Sequence, residues 1–355
     1  MSYRVGVVGL RRGLGLARVF DAVPDCSVTA VCDTNAATLG RASDEFPGAT
    51  AFDEYGAMLE SGVDIVAVAT PIPVHRDQTV AALETGCHVL QEVTLADSVE
   101  ACRDIVRAVK AHPRQKFMMA ENCCYWAHIM SWAEMWKQGL LGDFVYAEAE
   151  YVHDVRGLLR NPDGSPTWRA FRPPIIYCTH SFGPLVKITG QRPVSVSALH
   201  TGSNMEPDLP TFFDFEVAIV QTESHGVIKL LRGQGMKREP AFHYYSIYGT
   251  KGTLETTRPP QTARTNAYLE AVPHLHNMIE LPLNTDVPGL GREAALGGHG
   301  TAEYFMIGDF MDAVRNDTPT PIDVHMAWDI SVTGLCAHES ATKGGAAVRI
   351  PHWDE

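Results

Sequence analysis

The first 120 residues alternate apolar runs with amphipathic segments. YRVGVVGL, SVTAVCD, VDIVAVATP, CHVLQE and KFMMAEN predict strands. VDIVAVATP lacks polar alternation, as in a parallel sheet covered on both faces. Between them, GLARVFDAV, NAATLGRASDEF, HRDQTVAALETG and SVEACRDIVRAVKAH have helical spacing, and Gly86 predicts a C-cap. Right-handed crossovers then give a doubly wound parallel sheet over residues 1–122.

After Asn122 the pattern changes. One helix, HIMSWAEMWKQGLLG, precedes alternating runs such as FVYAEAEYVH, VSVSALHTG, FFDFEVAIVQT, GVIKLLRG, YYSIYGT and GTLETTR. These predict an open, mainly antiparallel sheet. AEYFMIGDFMDAVRND and VHMAWDISVTGLCAHESATKG are expected to be helices. The Pro/Gly/Asn-rich stretch 259–300 is expected to be irregular. Residues 123–355 therefore read as an α+β domain for substrate binding and oligomerisation, whose last helices can pack back on the first domain.

Composition narrows the partners. The 355 residues carry a net charge of -13, which repels phosphate backbones and argues against nucleic acid. No apolar run reaches the ~20 residues of a membrane span. Arg11-Arg12 is followed by Arg18 and Asp21 rather than an apolar stretch, so the expected location is cytoplasmic. The eight scattered cysteines, Cys123-Cys124 among them, fit buried thiols better than a zinc or redox pair.

GLRRGLG (Gly9–Gly15) joins the first strand and helix, where only glycine allows a tight turn and close approach to a pyrophosphate. The spacing departs from GxGxxG at Arg11 and Leu14, and Gly13 and Gly15 suit a shifted turn. Asp33, about 20 residues on, is placed to hold ribose hydroxyls and favours NAD. Arg11 or Arg12 could stack on adenine or take a phosphate. ATPIPVH lies at a strand end, where ligands bind, and contributes Thr70, Pro71 and His75. His75 reads first as a capping or packing residue. Asn122 ends the last strand. Gly9, Arg11, Arg12, Gly13, Asp33, Thr70, Pro71, His75, Glu92 and Asn122 are the candidates for cofactor contact.

These strings, with CDTN and ALETGCHVLQE, resemble the Gfo/Idh/MocA oxidoreductase superfamily over essentially the full chain. That resemblance implies a Rossmann domain, bound NAD and a sugar or cyclitol substrate. In its dehydrogenases a Glu-Lys-Pro stands where this chain has Glu92-Val93-Thr94, and Val93 cannot carry a proton. MMAENCCYW, AEAEYVHDVR, TWR and YCTHSFGPL resemble its branch of NAD-dependent glycoside hydrolases, the α-N-acetylgalactosaminidase type. By that likeness Glu92, Arg156, Tyr177 and His180 belong to the site, with a further tyrosine among Tyr244, Tyr245 and Tyr248. Tyr245 is carried forward. The branch oxidises the sugar C3, eliminates the aglycone, adds water and re-reduces. The alternatives are net dehydrogenation of a pyranoside or cyclitol, and a non-catalytic NAD-bound sensor.

In YCTHS, Tyr177 and His180 stand three apart, so a helical turn brings a phenol and an imidazole together. His180 is the expected base at the hydroxyl, Tyr177 the candidate at carbon, and Glu92 a holder of hydroxyls. YVHDVRGLLR offers Arg156 as a fork for sugar hydroxyls and His153 beside it, while Asp154 reads as a loop ion pair. Arg169, Arg172, Lys237 and Arg238 could add positive charge and hint at an anionic sugar. His274 and His276 have metal-like spacing without an acid or Cys partner, so no metal is expected. His299 lies between glycines that allow close approach to the pocket. WAEMWKQGLL reads as core or dimer packing, and a homo-oligomer, dimer or tetramer, is expected.

Overall fold

The computed structural model describes residues 2–259 and 264–355. In chain order the elements are β1 (Tyr3–Val8), α1 (Leu10–Asp21), β2 (Cys26–Cys32), α2 (Ala36–Glu45), β3 (Thr50–Phe52), α3 (Tyr55–Glu60), β4 (Ile65–Val68), α4 (His75–Glu84), β5 (His88–Glu92), α5 (Val99–Ala111) and β6 (Phe117–Ala120). Then follow α6 (Ala127–Lys137), β7 (Phe144–Val152), α7 (Thr179–Thr189), β8 (Pro193–His200), β9 (Phe215–Thr222), β10 (Val227–Gly233) and β11 (Phe242–Gly249). The chain ends with β12 (Gly252–Thr256), β13 (Thr265–Leu269), β14 (Ile279–Leu281), α8 (Ala302–Asn316), α9 (Val324–Thr342) and β15 (Val348–Arg349). The chain forms two units. The first holds residues 1–126 and 286–328, so α8 belongs to it; the second holds 127–285 and 329–355.

The first unit is a parallel sheet of order β3-β2-β1-β4-β5-β6, the doubly wound order. Its central strand β4, IVAV, is buried at every position, which explains the missing alternation. Local chemistry starts the helices: Asn35 accepts from the Thr38 amide and Ser98 from the Ala101 amide, as N-caps do. The Gly-rich turn is shorter than expected. Helix α1 begins at Leu10, so only Gly9 turns the chain; Gly13 and Gly15 lie inside the helix. The reason is packing, since a Cβ at Gly13 would stand 2.7 Å from Val7 Cγ1.

The second unit holds the sheet β14-β13-β12-β11-β7-β10-β9-β8-β15. Every pairing is antiparallel except β7 with β10. Two of its strands, β13 and β14, lie in the stretch expected to be irregular, of which residues 260–263 fall outside the described residues. Both are short outer strands, whose three to five residues were lost among the prolines and glycines. Alternation sets the site-bearing face. His243 pairs with Tyr151, and Tyr151 with Arg232, so the three form one row across β11, β7 and β10. Tyr245, two positions from His243, shares their face. All eight cysteines are buried thiols. No helix of the described residues is long and apolar enough to cross a membrane.

Candidate active site

In the first unit the nucleotide end is built on Gly9. It has φ 84°, and a Cβ there would stand 2.6 Å from the Ala69 and Thr70 backbone. Only glycine fits, and it brings no capping side chain of its own to the helix α1 that follows. A 12-residue helix beginning at a strand end suits a dinucleotide pyrophosphate. Asp33 is fixed beside it: Oδ2 accepts from the Leu10 amide at 2.8 Å and Oδ1 from the Asn35 amide at 2.8 Å. The carboxylate thus ties the start of α1 to the turn that leads into α2. Arg11 is exposed.

Arg12 behaves otherwise than expected of a phosphate or adenine ligand. Its Nε lies 2.9 Å from Glu92 Oε1, its Nη2 2.8 Å from Glu303 Oε1, and its Nη1 donates to Gly297 O at 3.2 Å. Glu303 also meets His299 Nδ1 at 2.5 Å, and Asn122 Nδ2 lies 3.5 Å from it. Burial opposes ionisation of Glu303, but the His299 hydrogen bond and the Arg12 charge outweigh it and hold the carboxyl at about 2. Four of the expected residues, Arg12, Glu92, Asn122 and His299, therefore gather around Glu303, which the sequence reading did not single out. The signal was present as an i, i+4 pair with His299 at the start of α8.

His75 is fully buried. Its Nδ1 lies 2.8 Å from Thr94 O and its Nε2 2.9 Å from Thr70 O. Burial lowers its pKa, so the neutral ring donates to one of these carbonyls. Both nitrogens are thus occupied, and the expected cofactor contact becomes a tie between the Thr70–Pro71 segment and the loop after Glu92. Thr70 itself donates to Gln78. Thr94, puzzling in the sequence where Pro was expected, is buried and closes its own loop by donating to Ala96 O at 3.1 Å.

In the second unit, aromatic rings surround His180, which opens α7. Tyr177 meets it edge-on at 5.1 Å between centroids, Tyr151 lies at 5.4 Å and His243 at 6.0 Å. Tyr151 stacks on its cross-strand partner His243 at 4.2 Å and 12°. His153 Nδ1 shares a hydrogen with the Tyr151 hydroxyl at 2.8 Å. The open choice among three tyrosines resolves: the Tyr245 hydroxyl donates to His180 O and neighbours His243 Nδ1. Tyr244 instead lies under Arg258, and Tyr248 packs with Tyr146. His243 keeps some surface but lies deep in protein. Burial, then the His180 and Arg232 charges, push its pKa well below the usual histidine range. Tyr151, His243 and Arg232 were missed, although the alternation of their three strands carries them.

Arg156 departs from expectation. Its Nε and Nη2 close on Asp154, and Nη2 also donates to Met236 O at 2.7 Å. The fork meant for sugar hydroxyls is thus occupied by a loop ion pair. Arg169 lies over the Trp168 ring at 4.4 Å. Arg172 is 6% exposed and lies over the Tyr177 ring at 4.6 Å. Burial, then the Arg232 charge, push its pKa down to about 9. His274 and His276 are exposed in loops.

Comparison with known proteins agrees with this layout. Residues 3–120 match the oxidoreductase family with an NAD-binding Rossmann fold, and residues 214–355 match the C-terminal domain of glycosyl hydrolase 109. A glycosyl hydrolase family 109 protein of Solibacter usitatus is 29% identical over 390 aligned positions, covering 99% of this chain and 88% of that protein. One from Shewanella amazonensis is 27% identical, covering 97% and 84%. A levoglucosan dehydrogenase solved with NADH shares the fold at TM-score 0.84 and 16% identity, covering 99% of this chain and all of that one. The protein is an NAD-dependent enzyme, a glycosidase or an oxidoreductase. The chain carries an NAD-binding Rossmann domain of the Gfo/Idh/MocA oxidoreductase family, followed by a glycosyl hydrolase 109 C-terminal domain.

Proposed function

We propose that this protein is an NAD-dependent glycoside hydrolase that acts by transient oxidation at the sugar C3. The observation that carries the reading is the histidine and tyrosine cluster around His180, which supplies two proton-transfer groups. Direct displacement at the anomeric carbon calls for a pair of carboxylates. Redox-assisted elimination does not.

Bound NAD supplies the group that takes a hydride and returns it within one cycle. The chain supplies the proton chemistry. His180 accepts the proton of the C3 hydroxyl as C3 becomes a ketone. That ketone acidifies the neighbouring C2–H, because the resulting negative charge is shared with its oxygen. Tyr177, edge-on to His180 and acting as its phenolate, takes the C2 proton, and the aglycone oxygen leaves C1 with its bonding pair and takes a proton from water. Water adds across the same two carbons, and His180 returns its proton as C3 is reduced. In this scheme Val93, 4% exposed, is an apolar wall in place of a proton carrier, and Glu92 holds hydroxyls from an orientation set by Arg12.

Incubation of the NAD-loaded protein with aryl glycosides in deuterated water tests this. The expected result is aglycone release, deuterium at C2 and no net NADH, with His180→Ala losing at least ~10²-fold in turnover while retaining NAD. Stoichiometric NADH with an intact glycosidic bond would establish the dehydrogenase instead.

A further inference from the structure

Two buried guanidinium groups have no task in that cycle. Arg172 is 6% exposed and Arg232 1%. Arg172 makes one side-chain hydrogen bond, Nη2 to Gln234 Oε1 at 3.3 Å, and its Nε and Nη1 have no acceptor among the described residues. Arg232 turns Nη1 to the Gly233 and Tyr151 carbonyls, and its Nε has no acceptor. Neither lies within 4.0 Å of a carboxylate among the described residues. Glu216 pairs with Arg232 across β9 and β10, yet its Oε2 accepts from the Ile175 amide at 2.7 Å and its Oε1 meets His338 at 3.0 Å.

Each cation instead faces a tyrosine: Arg172 lies over Tyr177 at 4.6 Å, and Arg232 over Tyr151 at 4.0 Å. Both rings touch His180, so the two charges flank the proposed proton-transfer group. Cation–π contact offsets only part of the cost of burying a charge. Two such charges side by side repel. An anion delivered with the substrate satisfies the open donors and the charge together.

We propose that Arg172, backed by Arg232, forms a subsite for an oxyanion substituent, so that the substrate is an anionic glycoside. This deepens the reading above and rests on its placement of the sugar beside His180. The oxyanion can be a carboxylate or a phosphate, which share the chemistry that a guanidinium recognises.

Calorimetric titration of the NAD-loaded full chain with D-glucuronate, D-galacturonate and D-glucose 6-phosphate, each against its neutral parent sugar, tests the subsite without turnover. At least one acid is expected to bind tenfold or more tighter than its parent. Whether the uronates or the phosphate lead identifies the oxyanion. Arg172→Gln is expected to remove that advantage and to leave the Kd of the neutral sugar within threefold. Equal binding of acids and parents by the native protein overturns the proposal, and this comparison needs no variant. It is also overturned if Arg172→Gln slows turnover of every glycoside without changing any Kd, since Arg172 would then serve Tyr177 alone. Preferential acid binding without glycoside cleavage would remove the hydrolase reading and keep the subsite. Cleavage of neutral glycosides without acid preference would do the reverse.

Discussion

The two units bury positive charge in opposite ways. In the first, Arg12 sits between Glu92 and Glu303 at 2.9 and 2.8 Å, and Glu303 is shared with His299. In the second, Arg172 and Arg232 lie against tyrosine rings and backbone carbonyls. The difference separates two uses of a buried cation. A charge with protein counter-ions has its geometry settled by folding, and it serves to hold other side chains. A charge without them is left costly by folding, and a ligand gains by relieving that cost. The first unit is thereby preorganised, whereas the second discriminates.

Glu303→Gln breaks the comparison most sharply, because it leaves Arg12 with one carboxylate in place of two. Removing one partner of a buried ion pair typically costs 3–5 kcal/mol; the expected loss is about 3 kcal/mol, because Arg12 keeps Glu92 and part of its side chain in water. Urea unfolding would register it, and NAD affinity should fall with it. Glucuronate binding should keep its preference over glucose. If Glu303→Gln abolishes that preference, the two units do not divide the work as argued.

How much of this was legible in the sequence depends on range. All strands of the first unit but β3 announced themselves as apolar runs, since burial on both faces leaves little polar alternation to misread; β3, three residues long and largely exposed, did not. Tyr177 and His180 were legible because their contact is made within one turn. Arg12 was misassigned because its partners come from β5 and from α8, almost 300 residues away, and no local pattern encodes that meeting. Arg156 shows the opposite case: Asp154, two residues back, pairs with its fork at short range. His243 and Tyr151 carry the period of their strands, but register decides which strand lies beside which, and register is not written in either strand alone.

Acid separates the units by a smaller amount. His128 in the second unit is 4% exposed, and burial lowers its pKa from the usual 6.5 to about 4, despite a hydrogen bond with the Asn284 backbone. A depressed histidine favours the folded state fully above the unfolded pKa, and the benefit drains as pH falls toward the folded value. Between pH 7 and 5 it accounts for a loss of about 2 kcal/mol. His243 and His75 add losses of the same sign. Glu303, held at about 2, stays ionised throughout that window and adds nothing. Unfolding free energies at pH 7 and 5 should therefore converge by about 2 kcal/mol in His128→Asn relative to the native chain. An unchanged difference would mean that His128 is charged when folded.

The smallest expected effect tests whether the geometry of the first unit comes from packing or from its ion pairs. A Cβ on Gly13 would stand 2.7 Å from Val7 Cγ1 and 3.4 Å from Ala69 Cβ. Val7 is β-branched and fully buried, so its rotamer cannot turn aside and α1 must lift from β1. Overpacking of this kind costs about 1–3 kcal/mol, while replacing a helical glycine with alanine returns up to about 1, leaving a net loss of about 1 kcal/mol for Gly13→Ala. Arg12 is the preceding residue, and a lift of a few tenths of an ångström lengthens its contacts with Glu92 and Glu303 together. NAD affinity should then fall by more than the stability loss implies, with glucuronate preference unaffected. If stability drops while NAD affinity holds, the ion pairs re-form around a displaced helix. Their mutual attraction, rather than the glycine contact, then sets the position of Glu92.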